Sequence, residues 1–172
     1  MLKVVLIIVA IPVAVLLFQQ TVMRFIRWYW HFSSPMFFGM MFDSRIRRAS
    51  QPPEKVVSNS GIAPGMQVLD LGCGTGTYTF EAARVAWPDG KVFALDIQRE
   101  MLDLLRKQWA RPENSDLQNI EIVQGSAFEL PFPDDYFDAV FIVTALHEIG
   151  DRHASLLEAK RVVKPGGYLS VS

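Results

Sequence analysis

The stretch Val68-Leu69-Asp70-Leu71-Gly72-Cys73-Gly74-Thr75-Gly76-Thr77-Tyr78-Thr79-Phe80-Glu81-Ala82-Ala83 decides how the rest of the chain is read. An apolar run (Val68, Leu69, Leu71) ends in glycines at alternate positions, Gly72, Gly74 and Gly76, and a helix-compatible segment follows at once. Strand, glycine turn and helix in that order bring backbone N–H groups and a helix N-terminus up to a ligand. A dinucleotide fingerprint would read Gly-x-Gly-x-x-Gly, and a phosphate-binding P-loop would end in Gly-Lys-Ser/Thr. This loop has neither spacing, and it carries an acid, Asp70, two residues before its first glycine.

Outward from the loop, strand and helix signals alternate. Gln51-Pro52-Pro53-Glu54 opens a short helix, with proline suited to a first turn and Glu54 to the positive helix end, and Gly61 closes it. Pro64-Gly65 turns the chain into a first strand, Gln67 to Leu71, and the helix after the glycines runs to about Val85. A second strand spans Lys91 to Asp96, and Met101, Leu102, Leu105 and Trp109 mark a helix over Gln98 to Trp109. Strand three is Ile120 to Gln124 and strand four Phe137 to Val143. Asp151 caps a helix through Val163, and Lys164-Pro165-Gly166-Gly167 leads into a fifth strand. Near-continuous apolar strands alternating with helices predict an α/β fold, a Rossmann-like doubly wound parallel sheet.

Such sheets bind ligands at the carboxyl ends of their strands. The candidate positions are therefore Asp70, Gly72, Cys73, Gly74, Thr75 and Gly76 in the loop, Asp96, Ile97 and Gln98 after strand two, Ser126 and Ala127 after strand three, and Thr144 after strand four. An acid at Asp96 suits the two hydroxyls of a ribose, while its bland role is to cap the helix from Gln98. Asp70 beside the loop is expected to orient glycine amides. His147 and Glu148 follow strand four and are the candidate general bases, or else they simply begin a helix or face solvent. Cys73 is the only cysteine, which excludes an internal disulfide and a cysteine-cluster zinc site, and in a glycine turn it reads as packing. No metal site is expected.

A chain of 172 residues suits one domain with a real core, and the formal net charge of −1 gives no pull towards nucleic acid. The charge is uneven. Residues 1–60 hold seven Lys/Arg against Asp43 and Glu54, a net of +5, which leaves −6 for the rest. Residues 4–23 form an uncharged run of twenty between Lys3 and Arg24. A helix of that length, at ~1.5 Å per residue, spans roughly 30 Å, the thickness of a bilayer core. A cleaved signal peptide is the alternative, but the bulky, basic Met23-Arg24-Phe25-Ile26-Arg27-Trp28-Tyr29-Trp30 offers no cleavage site. Those Arg and aromatic residues form an interfacial belt, and the Arg excess, continued by Arg45, Arg47 and Arg48, places the following domain in the cytoplasm. The expected organisation is a single-pass membrane anchor with belt over 1–30, a basic and apolar linker with its helix over 31–60, and the globular core over 61–172. The apolar segment from Phe32 to Phe42 fits either a membrane surface or a pocket cap.

Asp70-x-Gly72-x-Gly74-x-Gly76 resembles the first motif of class I S-adenosylmethionine (SAM)-dependent methyltransferases. Leu130-Pro131-Phe132, Asp138-Ala139-Val140 and Arg161-Val162-Val163-Lys164-Pro165-Gly166-Gly167 match further blocks of that family, so the resemblance runs from Val68 to Leu169. It is closest to the ubiquinone/menaquinone-biosynthesis type. The resemblance implies SAM as cofactor, Asp96 on its ribose, and Ser126 at the position where an Asp commonly bonds the adenine amino group. It points to a small-molecule methyl acceptor, and the anchor adds that this acceptor is small or lipid-soluble and met at the cytoplasmic membrane face. The family fold continues past strand five, whereas this chain stops at Ser172, so strand five is expected to be an open apolar edge. A truncated product, a fragment, or a partner chain completing that edge are the readings. The function alternatives are a SAM-binding but inactive chain and a nicotinamide oxidoreductase, the latter opposed by the glycine spacing and the downstream blocks.

Overall fold

The computed structural model describes residues 51–143, 145–146 and 149–172, together with Phe18. The elements in order are α1 (Pro53–Asn59), β1 (Gln67–Leu71), α2 (Thr79–Ala86), β2 (Lys91–Asp96), α3 (Arg99–Trp109), β3 (Ile120–Gln124), β4 (Phe137–Ile142), α4 (Arg152–Val162) and β5 (Val163–Val171). All of them belong to the compact unit Met36–Ser172. The five strands pair in parallel in the order β3-β2-β1-β4-β5. The chain winds outward from β1 through β2 to β3, then crosses back to lay β4 on the other side of β1. The glycine loop therefore leaves β1 at the point where the strand order reverses, the crevice in which open α/β sheets hold ligands.

Strand parity sorts the core into two layers. Val68, Val92, Ala94, Ala139 and Phe141 pack with Phe80, Ala83 and Ala86 of α2 and Leu102 and Leu105 of α3. Leu69, Leu71, Phe93, Leu95, Val140 and Ile142 pack on the opposite face with Ala159 and Val162 of α4. By the same alternation Asp70 and Asp96 lie on the face covered by α2 and α3. That placement governs their chemistry below.

Local signals act where they were expected. Pro53 opens α1 with Glu54 in its first turn, and Asp151 caps α4 by accepting from Ala154 N at 3.0 Å. Asn119 Nδ2 donates to Ala83 O and Gly90 O, tying the end of α2 and the turn after it to the foot of β3. The fifth strand differs from the expectation. It begins at Val163, which pairs with Phe137, and only after an excursion through Lys164-Pro165-Gly166-Gly167 does Tyr168 pair with Ala139. Gly166 takes φ 82°, and a Cβ on Gly167 would lie 2.8 Å from Asp138 O, so the glycines let the strand bulge without leaving the sheet. Tyr168, Leu169 and Val171 are exposed on this edge strand.

The membrane anchor read into residues 4–23, the belt to Trp30 and the segment from Phe32 to Phe42 fall, Phe18 apart, outside the described residues. Among the described residues no helix is long and apolar enough to cross a membrane.

Candidate cofactor site

Three backbone amides of the glycine loop find their acceptors at β2 and within the loop itself. Gly72 N and Cys73 N both donate to Leu95 O, at 2.8 and 3.0 Å, and Gly76 N donates to Cys73 O at 3.0 Å. Gly72 has φ 81°, and a Cβ there would come within 2.4 Å of Ala145 Cβ, so the loop closes tightly against the chain leaving β4. Gly74, at φ 54°, has no atom within 4 Å of where a Cβ would stand. One glycine serves packing; the other opens the loop to a ligand.

Asp96 ends β2 beside this opening and is 8% exposed. Its Oδ2 accepts from Gly74 N and its Oδ1 from Gln98 N, both at 2.9 Å. Gln98 occupies the cap position of α3 without a side-chain cap bond of its own, and Asp96 holds its amide just ahead of the helix. The same carboxylate also grips the glycine loop, so two backbone donors fix it at the strand end. Ile97 next to it is 60% exposed.

Asp70 corrects an expectation. It does not orient glycine amides: its Oδ2 accepts from the Thr79 hydroxyl at 2.6 Å, with Asp70 2% and Thr79 0% exposed. Parity explains this, because Asp70 points beneath the loop towards the first turn of α2, whereas the amides of Gly72 and Cys73 point along the sheet towards β2. Burial pushes the Asp70 carboxyl up to about 7; the Thr79 bond opposes the rise and the negative charge of Asp96 adds to it. Cys73 is buried in the α2/α3 layer, and desolvation followed by the charges of Asp70 and Asp96 raises its thiol pKa, which fits packing. Thr75 is buried in the same loop.

The third strand end joins this group through Gly125 N, which donates to Asp96 O at 3.1 Å. Ser126 Oγ accepts from Phe128 N at 3.2 Å and Ser126 bridges to Glu129, so the serine side chain shapes its own turn. Ala127 packs with the α4-side layer. Phe128, absent from the sequence reading, is 45% exposed two residues after Ser126. Thr79 was missed as well; a Thr opening the helix that follows the glycines was the available signal. Thr144, His147 and Glu148 lie outside the described residues. Among the described residues no cluster of His, Cys, Asp and Glu could hold a metal ion.

The donor set fits SAM. Asp96, a carboxylate at the mouth of the loop, favours a ligand carrying positive charge, which SAM has at sulfur and at its amino group. Asp96 suits the ribose hydroxyls, and exposed Ile97 and Phe128 offer apolar surface for a base.

The comparisons with known proteins agree. A methyltransferase domain model matches residues 62–172. The ubiquinone/menaquinone biosynthesis C-methyltransferase UbiE of Vibrio campbellii is 43% identical over 112 residues, 65% of this chain and 42% of that protein. The demethylmenaquinone methyltransferase of Staphylococcus aureus is 34% identical over 116 residues, 67% of this chain and 46% of that one. This chain thus spans less than half the length of these curated relatives. A SAM-dependent methyltransferase from Aquifex aeolicus superposes with a TM-score of 0.73 at 31% identity, covering 81% of this chain and 72% of its own. Loop, carboxylates, sheet order and family match converge: the chain belongs to the SAM-dependent methyltransferase domain family.

Proposed function

We propose that this chain transfers a methyl group from SAM to a small, quinone-type acceptor at the cytoplasmic face of a membrane. The observation that carries the reading is Asp96, a nearly buried carboxylate held between Gly74 N and Gln98 N at the mouth of the sheet. When bound, SAM supplies an electrophilic methyl group on a positively charged sulfur. Asp96 would hold its ribose and the glycine loop would approach it through Gly74. Ile97 and Phe128 would cover its base and keep water from it. Holding nucleophile and methyl in line supplies much of the rate in such reactions, with no covalent enzyme intermediate. His147 and Glu148, in the segment of the chain that follows β4, are the proposed bases for the acceptor proton. The quinone-type acceptor is supported by the relatives named above, and the membrane location by the uncharged run 4–23.

The test is calorimetry of the full chain in detergent with SAM and with NAD, followed by labelled methyl transfer to a demethylated quinone. SAM binding with transfer is expected. NAD binding without SAM binding would overturn the reading, and SAM binding without transfer to any quinone, phenol or lipid extract would leave a binding chain only. Membrane fractions are expected to retain the full chain and to lose it when residues 4–23 are removed; retention without them would sink the anchor.

A further inference from the structure

Two sequence blocks, Leu130-Pro131-Phe132 and the one that opens at Arg161, stand apart from the glycine loop and have no part in the function proposed above. The structure ties them together. Arg161, in the last turn of α4, directs its guanidinium into the connection between β3 and β4. Its Nη1 donates to Phe132 O at 2.9 Å and Asp134 Oδ1 at 2.8 Å. Nη2 donates to Leu130 O at 3.1 Å and Glu158 Oε2 at 2.7 Å, and Nε to Glu158 Oε1 at 2.8 Å. Glu158 Oε2 also accepts from Leu130 N at 2.9 Å. Beyond the turn, Asp135 N donates to Arg161 O and Tyr136 N to Val162 O. The Arg161 bonds hold the Glu158 carboxyl down to about 2, against its partial burial and with help from Leu130 N.

The held turn abuts the cofactor site. A Cβ on Gly125 would lie 3.3 Å from Leu95 Cδ1 and 3.6 Å from Pro131 Cδ, so Pro131 backs the residue that leaves β3. Gly125 is bonded to Asp96 O on its other side, and Ser126 to Glu129 close on themselves between these two anchors. Leu130, Phe132 and Ala127 share one apolar cluster.

We propose that Arg161 is a positioning residue for the adenosine half of the cofactor, acting through the Leu130 and Phe132 carbonyls on the Gly125–Phe128 turn. It rests on the SAM reading above. A guanidinium fork can reach both carbonyls and the Glu158 carboxylate at once; the single nitrogen of lysine cannot. A simple structural tie would instead cost stability and leave binding by the folded protein untouched.

The experiment compares the wild-type full chain with Arg161→Lys and Glu158→Gln. It measures SAM and 5′-methylthioadenosine affinity by calorimetry, and amide hydrogen exchange without ligand. Arg161→Lys is expected to weaken both ligands in parallel, by about tenfold, and to speed exchange at 125–132 while sparing 72–76. Glu158→Gln keeps an acceptor for Leu130 N and leaves Arg161 its carbonyl bonds, so the same pattern at a smaller size is expected, about threefold. It also keeps the test alive should the lysine variant not fold. Unchanged affinity, or exchange raised uniformly across the domain, overturns the proposal. Should the wild type bind neither ligand, the SAM reading fails, and the exchange pattern alone then decides whether Arg161 holds the turn.

Discussion

The two ends of the sheet treat the same side chain in opposite ways. At the amino end, Asp138 accepts from Lys164 Nζ at 2.6 Å and from Gln67 N at 2.8 Å. Burial raises its pKa, but those two bonds, the charge of Lys164 and its own backbone amide together outweigh it and hold the carboxyl below its ordinary value. At the carboxyl end, Asp70 has a neutral hydroxyl for a partner, and among the described residues no Lys or Arg pairs with it. A second acid, Asp96, adds its charge nearby. The paired acid stabilises the fold. Two acids placed together without a cation cost stability, and a carboxyl perturbed in this way at the strand ends marks a candidate site.

The largest expected effect is in pH. An unfolded Asp70 loses its proton near 3.8 and the folded one near 7, so between those values the folded state binds more protons. Stability therefore falls as pH rises through that window, by up to about 1.4 kcal/mol per pH unit for one proton, and levels off above it. Urea unfolding from pH 4 to 8 should show this slope in the wild type and a flatter one in Asp70→Asn. An identical slope in both would place the titration elsewhere. Asp138 has the opposite sign: with its pKa depressed, its contribution is present above its ordinary 3.8 and is lost on acidification below it.

Next in size, Asp96→Ala should weaken SAM at least tenfold, about 1.4 kcal/mol, while Asp138→Ala leaves SAM affinity within twofold, about 0.4 kcal/mol. Equal losses from the two variants would erase the distinction between the ends.

Alanine at either loop glycine forces a positive φ, at about 1–2 kcal/mol. Gly72→Ala also meets Ala145 and should lose the more stability, whereas Gly74→Ala meets open space and should lose SAM affinity beyond its stability cost. Melting temperatures and calorimetry on the pair check this, and the reverse ranking would mean that the ligand approaches elsewhere. Smallest is Lys164→Met. Its half-exposed ion pair is worth about 0–1 kcal/mol, so a slightly lower Tm with unaltered SAM binding is expected.

Much of this is legible in the amino-acid sequence. β1, β2 and β3 fall where apolar runs meet turn residues, and the helices begin and end close to their cap and turn signals, because period and turn chemistry are local properties of a few adjacent residues. Gly72, Gly74 and Asp96 were legible for the same reason, since loop spacing and a strand-end acid are local patterns.

Asp70 shows where local pattern stops. Alternation puts it on one face of β1, yet which helix covers that face, and that Thr79 would meet it there, follows only from how α2 crosses the sheet. Ser126 reads as a ligand contact in sequence, and its hydroxyl also accepts from Phe128 N within its own turn, a bond the sequence does not announce. Arg161 and Leu130 are 31 residues apart, and Gln67 and Asp138 71 apart, so their hydrogen bonds exist only once the parallel crossovers have closed. The sequence by itself determined the strands, the glycine loop and the acid at the end of β2, through interactions between near neighbours. The tertiary structure alone decided which acid is paired with a cation and which, among the described residues, is buried against a neutral hydroxyl, because strand order, and not spacing, sets what each carboxylate faces.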